Sequence, residues 1–159
     1  PKSTLVLVLE DVEDPVNVGS VFRVADALGV QEVLLTGITA RPPHKLITKV
    51  GRAKDRKVRW RSVDSAPEAI AQLKADGFVP YAVELTPSAR PYHQVRYPER
   101  VALIGGHEDH GVTKKTLAVC PQTIFLPMYG KGASLNVAQA LTVAAYRVLH
   151  PESIDTDQP

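Results

Sequence analysis

Apolar residues along the chain form short runs that alternate with stretches of helical spacing. Residues 5–9 are apolar at every position, a pattern typical of a strand that is buried on both faces. Residues 57–61 alternate with period two, which places Val58 and Trp60 on the inward face of a second strand. Further strands are predicted at residues 31–35, 78–83, 101–104 and 123–126.

Helices are predicted between these strands from apolar spacing and from residues that favour helix ends. Residues 17–28 place five apolar side chains on one face, and Gly29 is suited to end this helix in the left-handed conformation. Ser65 begins a capping box, Thr113 is suited to cap a short helix, and Ser134 is the expected N-cap of the last helix. The remaining helices are predicted at 44–50, 65–75, 113–120 and 134–149.

The alternation of strands and helices defines the fold class. It is typical of an α/β domain with a mostly parallel sheet that is covered by helices on both faces. The 159 residues are enough for one domain with its own core, and no repeat or internal boundary is visible. We therefore expect one domain over residues 1–150 and a polar, disordered tail over 151–159.

The composition excludes several classes of protein. No apolar run approaches the roughly 18 residues that a membrane span requires, and no signal peptide is visible. The single cysteine, Cys120, rules out an internal disulfide and gives no sign of a secreted scaffold. A cytoplasmic protein without a membrane partner is therefore expected.

Positive charge is concentrated in one part of the chain. The net charge is only +2, but seven of the 19 lysines and arginines lie between residues 49 and 61, where Asp55 alone opposes them. We call these seven residues the basic tract: Lys49, Arg52, Lys54, Arg56, Lys57, Arg59 and Arg61. Such a tract on an otherwise slightly acidic chain is typical of a surface that binds a polyanion. A solvated basic surface without a partner is the alternative.

Three glycine-containing polar segments follow predicted strands. They lie at residues 17–23, 105–111 and 126–138. Because ligands of open α/β sheets bind beyond the carboxyl ends of the strands, the three segments are expected to converge on one site. In the first segment Gly19 and Arg23 are four residues apart and so share a helix face. Taken alone, that segment is more typical of a helix cap, a helix–helix contact and a surface arginine than of a binding site.

Several familiar chemistries are not indicated by these segments. There is no G-x-G-x-x-G motif after the first strand and no Walker lysine, so common nucleotide loops are excluded. His107 and His110 lie near carboxylates, but their spacing fits no standard zinc site, and no metal is expected. Glu108 is better interpreted as the anchor of a loop that contacts a ligand. Ser134 lacks the G-x-S-x-G context of a hydrolase, which leaves hydrolysis a weak alternative.

Taken together and in order, the three segments resemble the motifs of the SpoU (TrmH) class of the SPOUT RNA methyltransferase superfamily. Residues 17–23 are similar to the N-x-G-x-x-x-R motif, 105–111 to the G-N-E-x-x-G loop, and 126–138 to the I-P-M-x-G…S-L-N-V segment. The resemblance extends from about residue 5 to residue 149. It departs at His107, where the family usually has Asn, and at Ala138, where Ser is common.

The resemblance implies a fold, a cofactor and a reaction. The fold is an α/β sheet whose C-terminal part forms a deep trefoil knot. The cofactor is S-adenosyl-L-methionine, bound mostly through backbone groups of the second and third motif loops. Members are usually homodimers in which the site combines residues of both subunits. The reaction is methyl transfer to a ribose 2′-hydroxyl of tRNA or rRNA.

The same resemblance implies roles for individual residues. The catalytic positions carried over from the motifs are Arg23, Asn17, Glu108, Ser134 and Asn136. The positions implied to contact the cofactor are Gly106, Leu126, Leu135, Val83, Gly105, Met128 and Gly130. The basic tract is the implied RNA-binding surface. Two other hypotheses stay open, namely a non-catalytic RNA-binding or assembly factor with the same fold and an unrelated nucleotide-binding α/β enzyme.

Overall fold

The computed structural model describes residues 3–131 and 135–151 of the chain. The strands are β1 (Thr4–Glu10), β2 (Glu32–Thr36), β3 (Trp60–Val63), β4 (Val79–Val83), β5 (Arg90–Pro91), β6 (Arg100–Gly105) and β7 (Gln122–Phe125). The helices are α1 (Pro15–Leu28), α2 (Lys45–Val50), α3 (Ala66–Ala75), α4 (Lys114–Val119) and α5 (Val137–Leu149). Single 3₁₀ turns lie at Lys54–Arg56 and Tyr92–Gln94.

The strands form one sheet in the order β3-β2-β1-β6-β4-β7-β5. Every pairing between these strands is parallel. Because parallel strands all end at the same edge, the loops after β1, β4, β6 and β7 meet at one side of the sheet. The predicted α/β domain with a mostly parallel sheet is confirmed.

Strand β1 shows why the sheet needs helices on both faces. Leu5, Leu7 and Leu9 belong to a core cluster that includes residues of α1 and α5. Val6 and Val8 point to the other face and pack in a second cluster with α3. All five side chains are at most 1% exposed. The uninterrupted apolar run therefore marks a doubly buried strand, as predicted.

Helix α1 begins two residues earlier than the sequence pattern predicts. The Asp14 carboxylate accepts a hydrogen bond from the Val16 backbone N–H, and Pro15 occupies the first helical turn. The Asp-Pro pair, interpreted from the sequence as a separate turn, is therefore the N-cap and first residue of the helix. The C-terminal prediction is confirmed, since Gly29 ends the helix with φ +66°.

The predicted bounds of β3 and of the last helix are wrong. Strand β3 begins at Trp60 and not at residue 57, because the backbone N–H groups of Lys57 and Val58 donate to the Lys54 carbonyl oxygen and extend the preceding 3₁₀ turn. Helix α5 begins at Val137 with Asn136 as its N-cap, whereas the sequence favoured Ser134. Ser134 itself lies outside the described residues, as does the predicted tail beyond residue 151.

Helices α1 and α2 approach each other through two glycines. A Cβ atom on Gly19 would lie 2.9 Å from the Ile47 carbonyl oxygen, and one on Gly51 would lie 2.9 Å from the Gly19 carbonyl oxygen. Both distances are shorter than van der Waals contact, and the neighbouring atom belongs to the backbone. The contact therefore requires glycine on both sides, and it places the turn after α2 directly against α1.

No helix in the described part of the chain combines the length and the apolar character needed to cross a membrane.

The glycine contact predicts the effect of added side chains. Gly19→Ala is expected to destabilise the fold by about 1–3 kcal/mol, because the helices must separate to admit the methyl group. Ser20→Ala, which adds no atom at the neighbouring position, is the matched control and should change stability by less than about 0.5 kcal/mol. Urea unfolding of the three proteins measures both effects. Equal stability of Gly19→Ala and the parent protein would contradict the close contact.

Candidate functional site

A cleft lies at the carboxyl edge of the sheet between the loops after β4, β6 and β7 and the start of α5. Its lining includes Val83, Gly105, Gly106, Leu126, Met128 and Leu135, which are six of the seven predicted cofactor contacts. Gly130 is not part of the lining. The structure thus brings together residues from three separate sequence segments at the edge where α/β sheets bind their ligands.

The cleft has an apolar wall and an apolar rim. A Cβ on Gly105 would lie 2.7 Å from Leu141 and 2.9 Å from Val137, so α5 packs directly on the backbone at the end of β6. Around the opening, Leu85, Met128 and Leu135 are 71%, 43% and 41% exposed. Apolar side chains that surround an opening at this level of exposure are typical of a ligand site.

The loop after β6, residues 106–112, forms the polar side of the cleft and is folded on itself. The backbone N–H of Gly111 donates to the His107 carbonyl oxygen at 2.9 Å, and the His107 N–H donates back to Gly111 at 3.2 Å. Gly106 lies so close to the Gly111 backbone that no Cβ fits. We refer to residues 106–112 as the β6 loop.

Glu108 fastens the β6 loop to the segment that joins β1 to α1. Its carboxylate accepts hydrogen bonds from the backbone N–H groups of Glu13 at 3.2 Å and Asp14 at 2.9 Å. A third donor is the Asn17 side-chain amide, at 3.2 Å. Burial by itself raises the pKa of Glu108, but the donated hydrogen bonds outweigh it, so that the pKa is lowered from its ordinary value of 4.5. Glu108 is therefore an anionic anchor of this loop.

Asn17 connects that anchor to the last helix. Its amide nitrogen donates to Glu108, and its carbonyl oxygen accepts from the Asn136 amide at 2.7 Å. The Asn136 oxygen in turn accepts from the backbone N–H groups of Ala138 and Gln139 at 2.8 and 3.3 Å as the N-cap of α5. We refer to these three residues as the Glu108–Asn17–Asn136 link. Asn17 is only 6% exposed, and both ends of its amide hold protein segments together.

Arg23 lies apart from this link, in a groove between α1 and α5. The groove is lined by Asn17 and Arg23 of α1 and by Asn136 and Val143 on the α5 side. The arginine is exposed, and it forms no ion pair or hydrogen bond with any residue in the described ranges. Of the five predicted catalytic residues, Glu108, Asn17 and Asn136 are joined directly by hydrogen bonds. Arg23 lies in the groove that Asn17 and Asn136 also line. Ser134 lies outside the described residues.

His107 uses both ring nitrogens to hold the β6 loop. Its Nδ1 accepts from the backbone N–H groups of Asp109 at 3.0 Å and His110 at 3.3 Å. Its Nε2 lies 3.2 Å from a carboxylate oxygen of Glu13. Because Nδ1 is an acceptor, the geometry assigns the ring N–H to Nε2, which donates a hydrogen bond to Glu13. The imidazole thus accepts on one side and donates on the other, as an asparagine amide does.

Two carboxylates that the sequence did not single out also hold this region. Glu84, directly after β4, accepts from the Val112 backbone N–H at 2.9 Å. Glu10, at the end of β1, accepts from the Thr113 N–H at 2.7 Å and from the hydroxyl of Thr116. The available signal was an acidic residue at the end of an apolar strand, where burial of the carboxylate requires donors from a neighbouring loop.

The basic tract contains cations in two different situations. Lys54 pairs with Asp26 at 3.0 Å, and Arg59 and Arg61 pair with Glu32 at 3.5 and 3.2 Å. Glu32 begins β2, so that pair of arginines lies toward the edge of the sheet opposite the cleft. The other four cations form no ion pair within the described residues. They are Lys49, Arg52, Arg56 and Lys57, and all four are exposed.

Among residues 3–131 and 135–151, no group of three or more histidine, cysteine, aspartate or glutamate side chains is arranged to hold a metal ion.

Known proteins are similar to this chain in sequence and in fold. The profile of the SpoU rRNA Methylase family matches residues 4–146. The tRNA (guanosine(18)-2′-O)-methyltransferase of Thermus thermophilus is 34% identical over 142 residues, which cover 89% of this chain and 72% of that protein. The 23S rRNA (guanosine-2′-O-)-methyltransferase of Acinetobacter baylyi is 32% identical over 143 residues, or 89% of this chain. The chain spans only 58% of the length of that enzyme, and only 61% of the length of the tRNA (guanosine(18)-2′-O)-methyltransferase of Escherichia coli.

Solved structures agree with the fold. The AdoMet-bound rRNA methyltransferase from Sinorhizobium meliloti matches with a TM-score of 0.87 at 22% identity, over 96% of this chain and 59% of that one. A protein whose structure addresses 2-OH methylation of C/U34 on tRNA matches with a TM-score of 0.79 at 31% identity, over 93% of this chain and 95% of that one. With the family profile matched over most of its length, the chain belongs to the SpoU rRNA Methylase family.

The low pKa of Glu108 predicts a pH-dependent contribution to stability. Because its folded-state pKa lies below 4.5, the contribution is complete above that pH and is lost as the pH falls through the folded-state value. Glu108→Gln should therefore lower stability at neutral pH by about 1 kcal/mol and show a weaker loss of stability on acidification. Asp109→Asn, at the exposed neighbouring residue, is the control. Thermal unfolding between about pH 7 and pH 3 tests this, and parallel curves for Glu108→Gln and the parent would contradict it.

The two-sided hydrogen bonding of His107 predicts different outcomes for two substitutions. His107→Ala removes the acceptor of two backbone N–H groups and should raise the hydrogen-exchange rates of the Asp109 and His110 amides by about 10-fold. His107→Asn supplies an acceptor and a donor of shorter reach and should preserve most of the protection. Amide exchange followed by NMR distinguishes the variants. Equal protection in the Ala variant would show that the imidazole does not hold the loop.

Proposed function

We propose that this chain is an S-adenosyl-L-methionine-dependent RNA methyltransferase that methylates a ribose 2′-hydroxyl in tRNA or rRNA. The observation that carries the proposal is the Glu108–Asn17–Asn136 link, which joins three distant segments of the sequence between the cleft and the groove that contains Arg23. The printed names of the relatives, which are guanosine 2′-O-methyltransferases of tRNA and 23S rRNA, support the same reaction class.

The cleft suits the proposed cofactor by its shape and chemistry. The close backbone approach at Gly106 and the apolar side chains of Leu126 and Leu135 suit a flat heterocycle held mainly by backbone groups. The SpoU methyltransferase AviRb of Streptomyces viridochromogenes, of the same fold, was crystallised with AdoMet. We propose that Val83, Gly105 and Met128 complete the contacts, with Gly130 beside them. The bound cofactor supplies the methyl group on its sulfonium.

Arg23 is the proposed catalytic residue on the RNA side. A guanidinium is protonated at any physiological pH and is therefore a poor general base. We propose that its charge pairs with the phosphate beside the target ribose and stabilises the negative charge that develops on the 2′-oxygen. Its exposure, without a carboxylate partner among the described residues, supports this role. In this scheme Ser134 and Asn136 position the ribose or the phosphate of the RNA.

A homodimer is the proposed assembly. The surface along α1 and α5 exposes the apolar side chains Val16, Val143 and Tyr146 at 39%, 37% and 47%. An apolar strip on two adjacent helices is suited to twofold packing with a second copy.

The cytoplasmic location is likewise a proposal, in keeping with the unpaired Cys120, whose burial raises its pKa to about 11. The trefoil knot implied by the family resemblance stays a prediction.

Incubation with methyl-labelled S-adenosyl-L-methionine and unmodified total RNA tests the proposed reaction directly. Nucleoside analysis should recover the label as a 2′-O-methyl nucleoside, and fractionation of the RNA then separates tRNA from rRNA. Bound cofactor without any transferred label would support an RNA-binding factor instead. Absence of both cofactor binding and label would overturn the proposal.

Substitutions of Arg23 test its electrostatic role. Arg23→Ala should lower methyl transfer by about 10²–10³-fold, whereas Arg23→Lys should keep clearly more activity because it retains the charge. Cofactor affinity, measured by calorimetry, should be unchanged in both. Arg96→Ala, at an exposed arginine before β6, is the control and should retain full activity. If the Lys variant is as inactive as the Ala variant, charge alone does not explain the role of Arg23.

A further inference from the structure

The turn that follows α2 has an unusual backbone conformation. Arg52 and Ala53 have φ values of +54° and +61°, in the left-handed region that residues with a Cβ rarely occupy. The conformation is fixed by backbone hydrogen bonds from Ala53 to Thr48 at 2.8 Å and from Lys54 to Gly51 at 3.0 Å. Two consecutive strained residues, held firmly in place, are typical of a functional position.

The contacts on either side of this turn place it beside Arg23. Gly51, before the turn, packs against Gly19 of α1, and Lys54, after the turn, pairs with Asp26 of α1. Residues 19, 23 and 26 share one face of the helix, because they are four and three positions apart. Arg23 therefore lies on α1 between the two contacts, at the level of the turn that carries Arg52.

Both arginines lack a compensating negative charge. Each is exposed, and neither forms an ion pair within the described residues. Asp55, the nearest acid in the sequence, is only 8% exposed and accepts from the Thr48 hydroxyl at 3.1 Å. Two neighbouring guanidinium groups repel each other unless an anion lies between them, and a phosphate accepts hydrogen bonds from both.

Three other cations of the basic tract are less suited to this task, because they are already paired. Arg59 and Arg61 are already paired with Glu32, and Lys54 is paired with Asp26. Their charges are partly neutralised inside the protein, so they add less to the binding of a polyanion. Among the cations of the tract, Arg52 thus combines an unpaired charge, a fixed backbone and a position beside the proposed catalytic arginine.

We propose that Arg52 is an RNA-binding residue that shares one backbone phosphate of the substrate with Arg23. This inference rests on the proposed function, which it extends by naming a phosphate-positioning residue outside the three motifs. It also accounts for the strained backbone. Glycine adopts a positive φ with less strain, so an arginine at this position lowers stability, and a phosphate contact gives its side chain a role that glycine cannot fill.

Arg52→Gly separates the contribution of the side chain from that of the backbone. The variant should melt at the same temperature as the parent or at a higher one, and it should bind S-adenosyl-L-methionine unchanged. Its dissociation constant for RNA should rise about 10-fold. The salt dependence of log K should become shallower by up to about 0.7–0.9, the value of one phosphate contact, since Arg23 still holds part of that contact. Arg96→Ala removes one exposed charge outside the basic tract and is the control, with an expected change of less than about 2-fold.

Binding is measured by fluorescence anisotropy at several salt concentrations with a labelled, unmodified pool of tRNA and rRNA fragments. Phosphate contacts are independent of sequence, so this probe does not require the natural substrate to be known. An unchanged dissociation constant and salt slope for Arg52→Gly would overturn the proposal. Because this readout is binding and not methyl transfer, a failure of the proposed reaction in the parent protein is detected separately.

The double variant tests whether one phosphate is shared. If Arg23 and Arg52 hold the same phosphate, combining Arg23→Ala with Arg52→Gly should weaken RNA binding by less than the product of the single effects. The slope of log K against log salt concentration should then become shallower by about 0.7–0.9 in total, the value of one phosphate contact. Independent, multiplicative effects and a loss of two contacts would show that the two arginines bind separate phosphates, which overturns the shared site.

Discussion

Backbone N–H groups at the carboxyl edge of the sheet must find acceptors, and carboxylates from neighbouring strands provide them. Glu10 at the end of β1 accepts from the Thr113 N–H, and Glu84 after β4 accepts from the Val112 N–H. In the opposite direction, Glu108 of the β6 loop accepts from two N–H groups after β1. Since a hydrogen bond to a charged acceptor contributes about 1.5–3 kcal/mol, these hydrogen bonds define the conformation of the loops that surround the cleft.

This construction leaves the apolar surface free for other tasks. Because hydrogen bonds to carboxylates help to hold the β6 loop, the apolar residues around the cleft can stay exposed at its rim, as Leu85 and Met128 do. The same division appears on α1. Its apolar residues face the core, its glycine admits α2, and its arginine stays exposed on the glycine-bearing face. Rigid support and an accessible surface therefore come from different residues of the same element.

Features set by local sequence were predictable, and features set by distant partners were not. The double burial of residues 5–9, the C-terminal glycine of α1 and the caps at Ser65 and Thr113 follow from short-range patterns. The choice between Ser134 and Asn136 as N-cap does not, because both types cap well and Asn136 is held by Asn17, 119 positions away. Similarly, the pairing of Arg59 and Arg61 depends on Glu32 in an adjacent strand. The seven cations of the basic tract are equivalent in the sequence pattern, but in the fold three of them are paired with carboxylates and four form no ion pair within the described residues.

The Glu108–Asn17–Asn136 link also has a consequence for the order in which the molecule is assembled. Its contacts join residues 91 and 119 positions apart, and they connect the first helix with the last. A ribosome produces the chain from the N-terminus, so Asn17 is synthesised long before either partner. Until the final helix has emerged, the Asn17 amide has no partner for its oxygen, and the wall between cleft and groove is incomplete. The site is thus finished only after Asn136, 119 positions beyond Asn17, has been made.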